Sequence, residues 1–214
     1  MGINMSIYQR LGQGPFTPSK KKITAANVDQ YYTMAANMDA EIKWVDSYVS
    51  LVEKLKPGAD MEYSPEYVQA RLAKLNADPI AGSKNADLID VKTRLKEVVL
   101  AMKAQLPIVM DKTLGSDVAE HQKMSDMDDE RKRLEDAYVE GYRKRYPLLH
   151  EVLPKVFFLI VDGCDMATVQ SCFTQLKKVL TGEITSQNAT STLMNESTER
   201  YNLPKGFWDV KKEK

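Results

Sequence analysis

Histidine and cysteine are nearly missing from this chain of 214 residues, with two of each. His121 and His150 have no histidine, cysteine or carboxylate neighbour at a recognised metal-ligand spacing, so no metal and no cofactor is expected. Cys164 and Cys172 lie eight apart, a spacing that fits no common metal or redox motif. An excess of charge is also missing. Thirty Lys and Arg balance thirty Asp and Glu, whereas a dedicated nucleic-acid binder draws most of its affinity from a basic surplus. No nucleic-acid partner is expected. Long apolar runs are absent too. The longest, Val156-Phe157-Phe158-Leu159-Ile160-Val161, is far short of the ~20 residues of a spanning helix and reads as buried core. Nothing near the N-terminus has the apolar stretch of a secretory signal. With free thiols, that gives the expectation of an intracellular location, or one within a virion.

What is present is helical periodicity. From Val28 the apolar positions run Val28, Tyr31, Ala35, Met38, Ile42, Val45, Val49 and Val52, alternating steps of three and four. This heptad seam is the strongest periodic signal in the chain. It predicts a helix from Ala25 to Lys56, capped by Thr24, stopped by Pro57-Gly58 and ~50 Å long, hence an elongated molecule. Ser64-Pro65-Glu66 reads as a cap followed by proline at the first helical position. Asp78-Pro79 and Gly82 mark a loop, and Leu88, Val91, Leu95, Val98 and Met102 return to heptad spacing until Pro107 ends or kinks that helix. The stretch from Ser116 to Tyr146 is densely charged. Its thin stripe (Val118, Met127, Leu134, Tyr138) predicts a helix facing solvent or a partner, supported by Asp128–Lys132, Asp129–Arg133 and Glu140–Lys144 pairs. Leu148 to Val161 reads as one central buried helix. Asp165 is the expected cap of the next, with a core face of Val169, Cys172 or Phe173, Leu176 and Leu180, closed by Gly182.

The fold class expected is all-α: an elongated bundle of about five to seven helices with extended N- and C-terminal arms. Residues 1–23 form the first arm, 24–182 the helical core, and 183–214 a polar arm with an aromatic end and at most one weak helix.

The local motifs weigh little against ordinary explanations. Asp126, Asp128, Asp129 and Glu130 suggest calcium, but a calcium loop starting there would need glycine and glutamate where Arg131 and Ala137 stand. Gly12-Gln13-Gly14 lacks the lysine-serine ending of a phosphate loop. The glycosylation triplets at Asn188 and Asn195 lie in an Asn/Ser/Thr-rich tract and read as chance. Cys172 is read as an inert core thiol, and Cys164 sits at a helix start without a nearby histidine. No catalytic residue is expected. Gly2, followed by Ser6, matches the myristoylation pattern, with Lys20, Lys21 and Lys22 as a second membrane signal; membrane contact is expected only if Gly2 is acylated.

Two features point outward. The heptad seam is read as an internal bundle stripe, with self-association as the alternative; Gln30, Asn37, Ala40 and Ser47 put few charges beside it and so do not decide between the two. The arms carry Ile7, Tyr8, Leu11 and Phe16 at one end and Phe207 and Trp208 at the other, among glycines and prolines. Exposed aromatics of this kind serve as interface anchors. The expectation is a non-enzymatic structural protein that cements other subunits of an assembly, a virus particle with a minor capsid component being one setting. The alternative is a peripheral membrane adaptor acylated on Gly2.

Overall fold

The computed structural model describes residues 21–56, 63–79, 85–110, 118–200 and 202. These form eight α-helices, and no strand occurs among the described residues. The helices are α1 (Val28–Glu53), α2 (Pro65–Asn76), α3 (Ala86–Met110), α4 (Val118–Arg145), α5 (Pro147–Val152), α6 (Pro154–Val161), α7 (Met166–Leu180) and α8 (Ser186–Arg200). The all-helical class follows from the periodicity. The count exceeds five to seven because one expected helix is two, and the polar stretch after Gly182 contributes another.

The chain divides into two compact units, Ala40–Arg145 and the residues on either side of it, with the boundary inside α1. In the Ala40–Arg145 unit, α3 and α4 form an antiparallel hairpin. Leu88 near the start of α3 meets Gly141 near the end of α4, and Arg94 pairs with Glu130 at 3.3 Å. Further along, Gln105 donates to Glu120. Gln105 is buried and continues the seam of Leu88, Val91, Leu95, Val98 and Met102 by another step of three. A single polar residue on such a seam fixes register at some cost in stability. Pro107 neither ends α3 nor stands outside it. Its ring removes only the bond to the Lys103 carbonyl, and both residues are exposed, so water satisfies that oxygen.

The charged helix α4 is not uniformly solvated. Leu134, Tyr138, Val139 and Tyr142 are buried, while Val118, expected on the stripe, is 82% exposed. The ladder on its outer face differs in detail from the expected spacing. Lys132 does pair with Asp128 at 2.6 Å, but Arg133 reaches Glu130 and Arg143 reaches Glu140, each three residues back. Asp128, Asp129 and Glu130 are therefore paired with bases of their own helix, and Glu130 with Arg94 of α3 as well.

The long helix α1 opens with a turn in which Thr24 supplies its carbonyl to the Val28 amide (3.0 Å) and Asn27 Oδ1 accepts from the Thr24 amide (2.7 Å). The side-chain bond of this turn therefore runs from the Thr24 amide to Asn27 rather than from a first-turn amide to the Thr24 hydroxyl. Val28, Tyr31, Ala35, Met38, Ile42, Val45 and Val49 are all buried within the single chain, and Val52 is half-buried. Trp44, off the seam, is buried as well and donates its indole N–H to the Leu75 carbonyl at the end of α2 (3.0 Å). α2 starts as expected: Ser64 accepts from the Tyr67 amide and Pro65 is the first helical residue.

In the other unit, Pro154 divides the expected helix of Leu148 to Val161. Leu153 takes φ −130, ψ 59, outside the helical region, as steric contact with the following proline ring requires. Leu149, Phe157 and Ile160 are the buried members. α6 and α7 both close on glycine. Gly163 and Gly182 have φ of +76 and +78, and the amides after them return to the Leu159 and Lys178 carbonyls, the double-bonded helix end that favours glycine. Asp165 caps α7, accepting from the Ala167 amide at 3.1 Å. Of the face offered by the sequence, Val169 and Phe173 are buried, whereas Cys172, Leu176 and Leu180 are half-buried. α8 lies on α7 largely through polar contacts: Ser171 donates to Glu196, and Arg200 donates to Thr168 Oγ1 at 2.6 Å. Ala189 is its buried residue. Such docking explains why periodicity alone left this helix weak.

Candidate functional site

The anchors proposed from the sequence, Ile7, Tyr8, Leu11, Phe16, Phe207 and Trp208, and the acylation candidate Gly2, lie outside the described residues. Among the described residues, no three His, Cys, Asp or Glu side chains converge as a metal site. None of the described helices is long and apolar enough to cross a membrane. His150 is not a plain surface residue, since its ring meets Phe157 edge-on at 5.1 Å and Phe158 at 5.8 Å. Cys172 is held in its thiol form by burial, which pushes its pKa up.

The densest polar cluster lies in the Ala40–Arg145 unit, where α4 ends. Arg145 donates through Nη1 to Glu41 of α1 and to Asn85, the fully buried residue that precedes α3. One guanidinium therefore ties three segments together. One to two turns back along α4, Tyr142 and Tyr138 pack edge-to-face at 5.1 Å, and their buried hydroxyls have no polar neighbour but each other. Lys92 lies 4.8 Å from the centre of the Tyr138 ring and pairs with Asp46 at 2.8 Å. Burial pushes both phenols well above the ordinary tyrosine range, and the nearby Asp46 and Glu41 carboxylates reinforce it by disfavouring a second negative charge. Both phenols stay protonated through the neutral range. The cluster thus offers fixed polarity and no tyrosinate nucleophile.

Two grooves, each of ~410 Å³, have mixed linings. One, in the unit flanking Ala40–Arg145, has Tyr32 and Phe173 edge-to-face at 5.6 Å as its apolar wall, crossed by an Asp29–Lys177 pair at 2.6 Å. The other runs between α3 and α4 past Asp87, Val91, Glu140, Gly141 and Lys144. At Gly141 the helices approach so closely that a Cβ would stand 2.6 Å from Leu88 Cδ2.

Apolar exposure concentrates elsewhere, at the far end of the α3–α4 hairpin. Leu100, Leu106, Ile108, Met110 and Val118 are between 45% and 82% exposed. Periodicity had singled out the heptad seam of α3 but not this second surface. Its signal was the charge-poor stretch from Val98 to Met110, apolar on every side with Lys103 the one charge. A helix of that kind is ordinarily covered all round.

The class these features define is an all-helical protein with an apolar hairpin end. No known family, curated protein or solved structure matches the chain.

Proposed function

We propose that the chain is a non-enzymatic structural protein that cements a larger multi-subunit assembly, such as a virus particle, through its terminal arms. The observation that carries this reading is the placement of Ile7, Tyr8, Leu11, Phe16, Phe207 and Trp208 in terminal segments punctuated by Gly12, Gly14, Pro15, Pro18, Pro204 and Gly206. Large aromatic and aliphatic side chains in such segments gain most by entering pockets on a neighbour, where truncating one costs about 2 kcal/mol or more. The protonated, tightly packed Tyr138–Tyr142 cluster is in keeping with a scaffold role.

The test is deletion of residues 1–22 together with 203–214. The shortened chain should melt close to the full chain and fail to enter its native assembly. Normal incorporation, or collapse of the helical core, removes the reading. A second reading, a membrane adaptor, rests on Gly2 and Ser6 with Lys20, Lys21 and Lys22 as the second signal, and is decided by the mass of the N-terminal peptide, which acylation would raise by one myristoyl group.

A further inference from the structure

We infer that α8 is a releasable strap on α7: it lifts off as one piece about Gly182, before the rest of its unit unfolds, and uncovers Cys172. Eight of the fifteen residues of α8 are Ser, Thr or Asn, whose side chains compete with the helix for backbone bonds. Thr190, Thr192 and Thr198 do so here, donating to the Ser186, Asn188 and Met194 carbonyls one turn back at 2.9, 2.9 and 2.8 Å. A helix of this length and composition is marginal by itself, so its stability rests on docking.

That docking is largely polar. Arg200 reaches Thr168 Oγ1 at 2.6 Å and the Asp165 carboxylate at 3.5 Å, and Ser171 donates to Glu196. Ala189 is buried, but Leu193 is half-buried and Met194 is exposed, so little apolar area leaves water when α8 docks. Water replaces each polar bond on release, which keeps the net contribution of these bonds modest. α7 does not depend on them. Its other face holds Val169 and Phe173, both buried, with Phe173 against Tyr32 at 5.6 Å and Lys177 paired with Asp29 at 2.6 Å. Thr168, Ser171, Cys172 and Gln175 lie three and four apart on the face toward α8. Cys172 is half-buried there, close enough to Glu196 and Arg200 for their charges to bear on its thiol. A pivot precedes the strap, since Gly182 has φ of +78 and open space where a Cβ would stand. Beyond it, Thr185 Oγ1 accepts from the Asn188 amide at 3.2 Å and gives α8 its own cap. Released and extended, the helix reaches ~50 Å instead of ~22 Å. On the reading that the C-terminal segment binds a neighbour, this lengthens its reach; the opening itself stands without that reading.

Cys164→Ser in the full chain leaves Cys172 as the single thiol. Its reaction with a chromogenic aryl disulfide, at fixed pH and in urea below the unfolding transition, tracks the open fraction. The expected rate is at least about tenfold below that of the urea-unfolded chain, with a urea dependence much shallower than that of global unfolding, because opening one helix exposes little surface. Ser191→Ala with Asn195→Ala, both at exposed positions of α8, raises helix propensity and should slow the reaction roughly fivefold. Hydrogen exchange on the unsubstituted chain gives a second reading without a label. The Leu193 and Glu196 amides should exchange on the order of a hundredfold faster than those of Val169 and Phe173. A thiol reaction with the full urea slope of unfolding, or equal protection of the two helices, overturns the inference, because α8 then leaves only with everything else. A rate equal to that of the unfolded chain and unmoved by the alanine variant overturns it too, because α8 then does not cover the thiol.

Discussion

Tyr138 and Tyr142 bury two hydroxyls that have no polar neighbour but each other, and a buried hydroxyl deprived of water costs about 1–3 kcal/mol where it stays unpaired. Both phenols titrate above the ordinary value of ~10 because the folded protein disfavours their charged form. The sign follows directly. Below about pH 10 both states hold the protons and the tyrosines contribute nothing to the pH dependence. Above it the unfolded chain ionises first, so stability should fall with rising pH, by up to ~1.4 kcal/mol per pH unit for each tyrosine. Urea unfolding between about pH 9 and pH 11.5 measures the slope. Tyr138→Phe with Tyr142→Phe should flatten it while leaving neutral-pH stability unchanged or up to ~1 kcal/mol higher. An equally steep alkaline limb in that variant would assign the loss to other groups. Tyr138 was legible as an apolar position at its spacing from Leu134. Tyr142 and Val139 were not, because charged neighbours at Glu140, Arg143 and Lys144 hide the last turns of the stripe. Arg145 and Asn85 escaped for another reason: a buried ion contact between distant segments leaves no local periodicity.

At the scale of the element, chain punctuation carried more information than helix propensity. Ser64-Pro65, Asp165 and Gly182 begin or end helices where the sequence placed them, each through a bond that only that residue type makes easily. Pro154 divides a stretch read as one helix, whereas Pro107, expected to end or kink its helix, does not end it. The first lies where the preceding residue must leave the helical region, and the chain breaks. The second sits on an exposed face where water replaces the missing bond, and the helix continues. Gly182 offers a clean measurement. It has φ of +78 and open space where a Cβ would stand, so Gly182→Ala tests backbone strain alone. The expected cost is about 1 kcal/mol, read as a lower urea midpoint at unchanged slope. No change in the midpoint would mean that α7 ends without needing the left-handed residue.

At the scale of the whole molecule, the all-helical class could be read from the sequence, but the division into two units could not. The heptad seam runs through the boundary without interruption, since Met38 and Ile42 on either side of it are both buried. A continuous apolar stripe signals one helix and is silent on which other helices cover each half. Each unit takes part of its core from α1: Val28 to Met38 in one, Ile42 to Val49 in the other. Helix propagation adds one bond per residue at little cost, so a helix held at one end favours its own continuation. Weakening α1 at the boundary should therefore reach both units. Ala40→Gly removes a good helix former at a half-buried site and should cost about 1 kcal/mol. Native-state hydrogen exchange reads the effect separately on the two sides, through amides such as Ala35 and Met38 in one unit and Val45 and Val49 in the other. Equal losses of protection, each of about 1 kcal/mol, are the outcome of one cooperative transition carried by α1. A loss confined to Val45 and Val49 would show that the two units open independently.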